Sequence, residues 1–168
     1  MRINLQKYSF RFAEQVLNSK LALKQEIEEI LLNPSIELLS LNRPHFNKVL
    51  ENLFTQKGWE TQPKVFDEKQ DPSAKLDFLK ERINIEVGFT YFSFIGIDLL
   101  KFQVASYSSL DKIDVGVYMV TTRNFQKRMK KEFNQNWEGS LTFEKVKRYL
   151  PHFKSAIQVP IYVIGIDL

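Results

Sequence analysis

A chain of 168 residues with 24 Lys and Arg against 20 Asp and Glu carries a formal net charge of +4, a mild basic excess compatible with a polyanionic partner. It is 43% hydrophobic and 26% charged, the size and composition of one globular domain with a real core, expected to span residues 1–168. The absence of cysteine excludes disulfides, thiolate ligands and a cysteine nucleophile and fits a reducing cytoplasm, while two histidines are too few for a histidine-based zinc site.

From Ser9 to Asn33 the segment "SFRFAEQVLNSKLALKQEIEEILLN" has helical spacing at Leu21, Leu23, Ile27, Ile30 and Leu31 and stops at Pro34. The N-terminus "MRINLQKYSFRF" has no apolar core of the signal-peptide kind, and no apolar run reaches the roughly 18 residues of a membrane span, so a soluble, cytoplasmic protein without membrane contact is expected. A further helix is predicted over "NRPHFNKVLENLFTQKG", with Asn42 as N-cap, Pro44 in the first turn and Gly58 as the stop. Its apolar stripe is Phe46, Val49, Leu50, Leu53 and Phe54, and Asn47 and Glu51 stand together at the edge of that stripe. The polar segment "TQPKVFDEKQDPSAK" reads as a loop or irregular edge strand.

Two short strands follow, around Asp77 and Glu86, joined by a turn at Lys80, Glu81 and Arg82. A helix near "GIDLLKFQVAS", a strand "KIDVGVYMVTT", helices over "NFQKRMKKEFNQNW" and "SLTFEKVKRYLPHF", and a buried strand "VPIYVIGIDL" complete the order. This succession is α/β with a mixed sheet. It divides the domain into N-terminal helices at about 9–58 and a core at about 63–168.

Folding the hairpin about its turn brings Asp77 opposite Glu86, with β-carbons roughly 4.5–5.5 Å apart. Alternation puts Ile83, Ile85 and Val87 on one face and Asn84, Glu86 and Gly88 on the other. Two readings of the acid pair stand. In one, the charges face solvent on a half-buried hairpin. In the other they form a Mg²⁺ site, with hard oxygen ligands from Asp77 and Glu86 completed by the Val87 carbonyl and by waters. Such a site hydrolyses phosphodiesters, because the cation favours loss of a proton from water and neutralises charge on the phosphorane.

The hairpin resembles the core of the PD-(D/E)XK nucleases, in which an Asp is followed by Glu, a spacer and Lys, Gln or Glu. The surrounding text is similar to the BglII-like type II restriction endonucleases, a subgroup related to BamHI. The matching pieces are "HFNKVLENLFTQKGWE", "LDFLKERINIEVGF", "DLLKFQ", "VTTRNFQKRM" and "VPIYVIGI", in that order. The resemblance implies a central mixed sheet flanked by helices, a homodimer, and Mg²⁺-dependent, sequence-specific cleavage of double-stranded DNA. It puts the metal-binding acids on Asp77 and Glu86 and nominates Asn47 or Glu51 to complete the catalytic site. One departure stands out. Position 88 holds glycine, which has no side chain to orient or activate the attacking water, so another group, Lys101 or Lys75, must reach in, or cleavage is impaired.

"TTRNFQKRMKK" places Arg123, Lys127, Arg128, Lys130 and Lys131 in one helix and its lead-in, with Arg123, Lys127 and Lys131 on a single strip. The strip reads either as a solvated helix face or as a phosphate-binding surface of salt-dependent affinity, and the resemblance favours DNA. Thr121 and Thr122 are candidates to donate to phosphates or read base edges. The aromatic run "GFTYFSF" reads as core or dimer contact rather than as a base-stacking surface. Three classes of function follow: a restriction endonuclease, a DNA-binding protein of the nuclease fold in which Gly88 has cost the cleavage, and a structural or interaction domain in which the acids are incidental.

Overall fold

The computed structural model describes residues 2–65, 75–107 and 110–168. A six-stranded sheet runs in the order β1-β6-β5-β4-β3-β2. Its strands are β1 (Asn4–Phe10), β2 (Glu60–Thr61), β3 (Phe78–Lys80), β4 (Ile83–Val87), β5 (Val115–Thr121) and β6 (Ile161–Asp167). β4, β5 and β6 are parallel neighbours, and β1, β3 and β2 join antiparallel. The helices are α1 (Ala13–Asn18), α2 (Leu21–Leu31), α3 (Arg43–Gln56), α4 (Ile95–Ser106), α5 (Arg123–Phe133) and α6 (Phe143–Tyr149). Parallel strands need crossovers, and α4 supplies the one from β4 to β5, α5 and α6 the one from β5 to β6.

Alternation along β5 divides the core in two. Val115, Val117 and Met119 join Ile83, Ile85 and the apolar sides of α1, α2, α3 and α5 in one cluster. Tyr118 and Val120 join Leu99 and Phe102 of α4 and Phe143 and Val146 of α6 in the other. Because helices cover both faces, β5 and β6 are buried along their whole length. Two glycines let the second layer approach closely: a Cβ on Gly116 would lie 2.4 Å from the Phe102 ring, and one on Gly165 would lie 2.6 Å from that of Phe143.

The Asn42 side chain accepts from the His45 N–H at 2.9 Å to start α3, and Gly58 follows its end at φ +78°. The helix expected from Ser9 begins instead at Ala13, and residues 4–10 form the edge strand β1. β1 owes its place to seven backbone pairings with β6 rather than to apolar alternation, so periodicity does not reveal it. Leu21, placed on the apolar stripe, is exposed at the start of α2. Most of the polar segment 61–75 lies outside the described residues; of the rest, Thr61 belongs to β2 and Lys64 bridges Lys75. Among the described residues no helix is long and apolar enough to cross a membrane.

Candidate active site

The hairpin turn is shorter than expected. Lys80 pairs with Ile83, leaving Glu81 and Arg82 as a two-residue loop with φ of 44° and 66°, the positive values that a right-twisted hairpin demands. Neither residue is glycine, and side-chain ties hold the loop: Arg82 donates to Asp114 at 2.8 Å and to Asp111 at 2.6 Å, and Lys20 donates to the Glu81 carbonyl. The pairing Phe78 to Ile85, continued by one residue, sets Asp77 opposite Glu86. The two acids then bind each other's strands. The Asp77 N–H donates to Glu86 Oε1 at 3.2 Å, and the Val87 N–H donates to Asp77 Oδ2 at 2.7 Å.

The solvent-facing reading of this pair fails for Glu86. Its side chain is 1% exposed, because β4 lies inside the sheet and α4 covers the face on which Asn84, Glu86 and Gly88 stand. Burial, then the neighbouring Asp77 charge, pushes its pKa up to about 8 against the pull of Lys101. Burial likewise raises Asp77 and Asp98. Among the described residues, the cation on this spot is Lys101 of α4. Its ammonium bonds Glu86 Oε2, donates to the Lys75 carbonyl at 3.3 Å and stands 3.5 Å from Asp98 Oδ1. Burial works against its charge, and the three carboxylates outweigh that and raise its pKa. The Lys75 side chain points to solvent, so of the two lysines that could reach in, Lys101 does so.

Beside Asp77 a cleft of about 370 Å³ opens, walled by Asn47, Lys48 and Glu51 of α3 and by Gln62 and Val87. The fold therefore brings Asn47, Glu51, Asp77 and Val87 to one cavity. Glu51 is engaged there with Lys48 at 3.0 Å. Among the described residues no group of three or more His, Cys, Asp or Glu is placed to hold a metal ion. Of the acid pair, Asp77 stands on the wall of the cleft beside Val87, while Glu86, 1% exposed and turned to Lys101, does not line it. Two carboxylates with surplus buried negative charge are the hard oxygen donors that a divalent cation keeping several of its waters would take.

The family model for restriction endonuclease BglII/BglIII matches residues 5–166. The chain belongs to this family. As a BglII/BglIII-type restriction endonuclease it falls in the class of type II site-specific deoxyribonucleases. Its fold is similar to that of restriction endonuclease BglII complexed with a DNA 16-mer, at a TM-score of 0.69 and 19% identity over 98% of this chain and 78% of that one. Free BglII gives a TM-score of 0.63 and 20% identity over 98% of this chain and 79% of that one. A comparison with curated protein sequences finds no match.

In this endonuclease two of the expected DNA contacts are structural instead. Thr121 and Thr122 are fully buried. Thr122 caps α5 by accepting from the Phe125 N–H at 3.0 Å and donates to Asp167 at 2.7 Å, while Thr121 accepts from Gln126 at 2.9 Å. Thr121 ends β5 and Thr122 caps α5, and neither hydroxyl is open to solvent. Arg128 is paired with Glu132 at 2.9 Å and Lys130 with Glu138 at 2.6 Å. Arg123, Lys127 and Lys131 are exposed and, among the described residues, their side-chain cations form no ion pair, while the Arg123 backbone N–H donates to the Glu144 carboxylate at 3.1 Å. Two residues of the site are absent from the sequence-based expectations. Asp98 is legible as the partner three before Lys101 on one helix, whereas nothing in the sequence marks Tyr118, whose hydroxyl donates to Asp98 at 2.8 Å.

Proposed function

We propose that this endonuclease cuts double-stranded DNA at a short two-fold site by Mg²⁺-dependent phosphodiester hydrolysis, acting in the cytoplasm as a homodimer with one centre per strand. The observation that carries this reading is the convergence of Asp77 and Glu86, each bonded to the other's strand, with Asp77 on the wall of an open cleft. In the hydrolysis a water oxygen bonds to phosphorus as the bond to one deoxyribose oxygen breaks. One water proton passes to that oxygen through solvent, leaving a phosphate on one end and a hydroxyl on the other.

Asp77, Glu86 and the Val87 carbonyl would hold the cation. When bound, it supplies a Lewis acid beside the scissile phosphate and a lower pKa for water. Burial of Glu86 keeps water from competing for its oxygens, and the Asp77 N–H and Asn84 Nδ2 orient Oε1 from 3.2 and 3.3 Å. On the α3 wall of the cleft, Asn47 and Glu51 stand where they can meet the substrate backbone or an outer water. The unpaired cations of α5, Arg123, Lys127 and Lys131, are assigned to the phosphates. α5 begins at the carboxyl end of β5, the same end of the parallel strands at which β4 delivers Glu86 and Val87, where α/β sheets hold their ligands.

Incubation with mixed-sequence DNA and Mg²⁺ or Mn²⁺ tests the proposal, with discrete fragments expected. Glu86→Ala is expected to abolish cutting while DNA retention persists, and cutting that survives this change moves the centre elsewhere. Salt-sensitive retention without fragments from the unaltered protein would favour a DNA-binding protein of the nuclease fold.

A further inference from the structure

Glycine at position 88 removes the side chain that the family's motif places two residues after the glutamate, and the space it leaves is filled. A Cβ on Gly88 would lie 2.8 Å from Tyr118 Cε2 and 3.0 Å from both Cζ and the hydroxyl. The Tyr118 ring, fully buried and crossed edge-on by Phe102 at 5.9 Å, occupies that volume. Its hydroxyl holds Asp98 Oδ2 at 2.8 Å, Asp98 Oδ1 faces the Lys101 ammonium at 3.5 Å, and the ammonium bonds Glu86. An unbroken polar chain thus runs from the space beside Gly88, through α4, back to the catalytic glutamate.

The orientation of α4 points the same way. A helix on the outside of a sheet ordinarily turns its apolar residues inward and its charges outward. Here Ile97 and Leu100 are 56% and 54% exposed, while the Lys101 side chain is turned inward and only 19% exposed. Burying an ammonium costs desolvation that a surface lysine avoids. Its three donors face Glu86, the Lys75 carbonyl at 3.3 Å and Asp98 Oδ1 at 3.5 Å, and the last two contacts are long enough for a water to compete for them.

We propose that Lys101 is the catalytic lysine of this enzyme, acting from helix α4 in place of the side chain that Gly88 lacks. It holds the attacking water and counters the charge that gathers on the scissile phosphate, and Asp98 and Tyr118 are its positioning residues. The proposal rests on the nuclease reading of Asp77 and Glu86.

Lys101→Met is expected to lower kcat by about 10²- to 10⁴-fold with KM and metal-free DNA retention unchanged. Asp98→Asn and Tyr118→Phe, the latter keeping the ring and losing only the hydroxyl, should lower kcat about tenfold or more without raising KM. Calorimetry without DNA gives a readout independent of cleavage: Lys101→Met should take up Mn²⁺ at least as tightly as the unaltered protein, because the competing ammonium is gone. In the Lys101→Met background, Gly88→Lys with Tyr118→Ala reopens the strand position and is expected to recover at least about a tenth of the lost kcat. Wild-type cutting by Lys101→Met, or a loss of cutting matched by loss of DNA retention, overturns the proposal, as does weakened Mn²⁺ uptake. Failure of the underlying nuclease reading looks different, since the unaltered protein would then give no fragments, or Glu86→Gln would cut as well as it does.

Discussion

Glu86 and Asp77 carry more negative charge into the protein than burial tolerates, and that surplus has a pH signature. Burial raises the pKa of Asp77, Glu86 and Asp98, with Glu86 at about 8 against an ordinary 4.5. Between those two values the folded, metal-free chain binds more protons than the unfolded chain, so its stability falls as pH rises through the window. Each tenfold change in proton affinity is worth about 1.4 kcal/mol, which puts the effect on the order of a few kcal/mol. Glu86→Gln removes the largest contributor. We therefore expect the metal-free Glu86→Gln protein to melt higher than the unaltered one near pH 8 and to match it near pH 4.5, measured by calorimetry. An identical pH slope in both proteins would show that Glu86 is not the buried acid responsible. Opposition of Asp77 and Glu86 is legible as arithmetic on a hairpin; the burial of Glu86 is not, because no local pattern reports that α4 will cover its face.

Helix α4 is the element that connects packing to chemistry. Phe102 of α4 lies against the backbone of Gly116, so the helix approaches β5 closely enough for the adjacent Lys101 to reach Glu86. Gly116→Ala would put a methyl 2.4 Å from the Phe102 ring, and overpacking of this kind costs about 1–3 kcal/mol. The expected outcome is a lower denaturant midpoint together with reduced cleavage, since the helix that carries Lys101 must shift; normal cutting at reduced stability would mean that the placement of α4 is less exacting. α5 offers a complementary case. The spacing of its cations is legible in the chain, but only the structure separates Arg128 and Lys130, held by Glu132 and Glu138, from Arg123, Lys127 and Lys131. Arg123→Ala with Lys127→Ala should weaken DNA retention on all sequences alike and flatten its salt dependence by about 0.9 logarithmic units per lost phosphate contact. Filter binding at several salt concentrations reads both, and an unchanged slope would remove α5 from the interface.

For the whole molecule, the sheet order collects the carboxyl ends of β4, β5 and β6 on one side, so the acid pair and the start of α5 share one end of the fold. The opposite surface of α4 has a different character. Phe94, Ile97, Leu100 and Tyr107 recur three and seven apart along one exposed face, an apolar stripe of the kind that protein contacts cover. If the homodimer proposed above forms, this stripe is the face for it to use. Leu100→Asp should then convert a dimer to a monomer in sedimentation velocity and leave each chain folded. A monomer before the change, or a dimer after it, would place the contact elsewhere.

The order of elements from β3 to the end of the chain, the cap and stop of α3, the acid pair across the hairpin and the cationic spacing on α5 were determined by sequence alone, because each depends on neighbours within a turn or a strand pairing. Tertiary structure decided the rest: that β1 closes the edge of β6, that Thr121 and Thr122 are interior, and that Tyr118 fills the room beside Gly88 while Lys101 enters from a helix. Those outcomes depend on which surfaces meet across the layers. A distance between Lys101 and Glu86 is set by how closely α4 settles on Gly116, and no spacing along the chain encodes it.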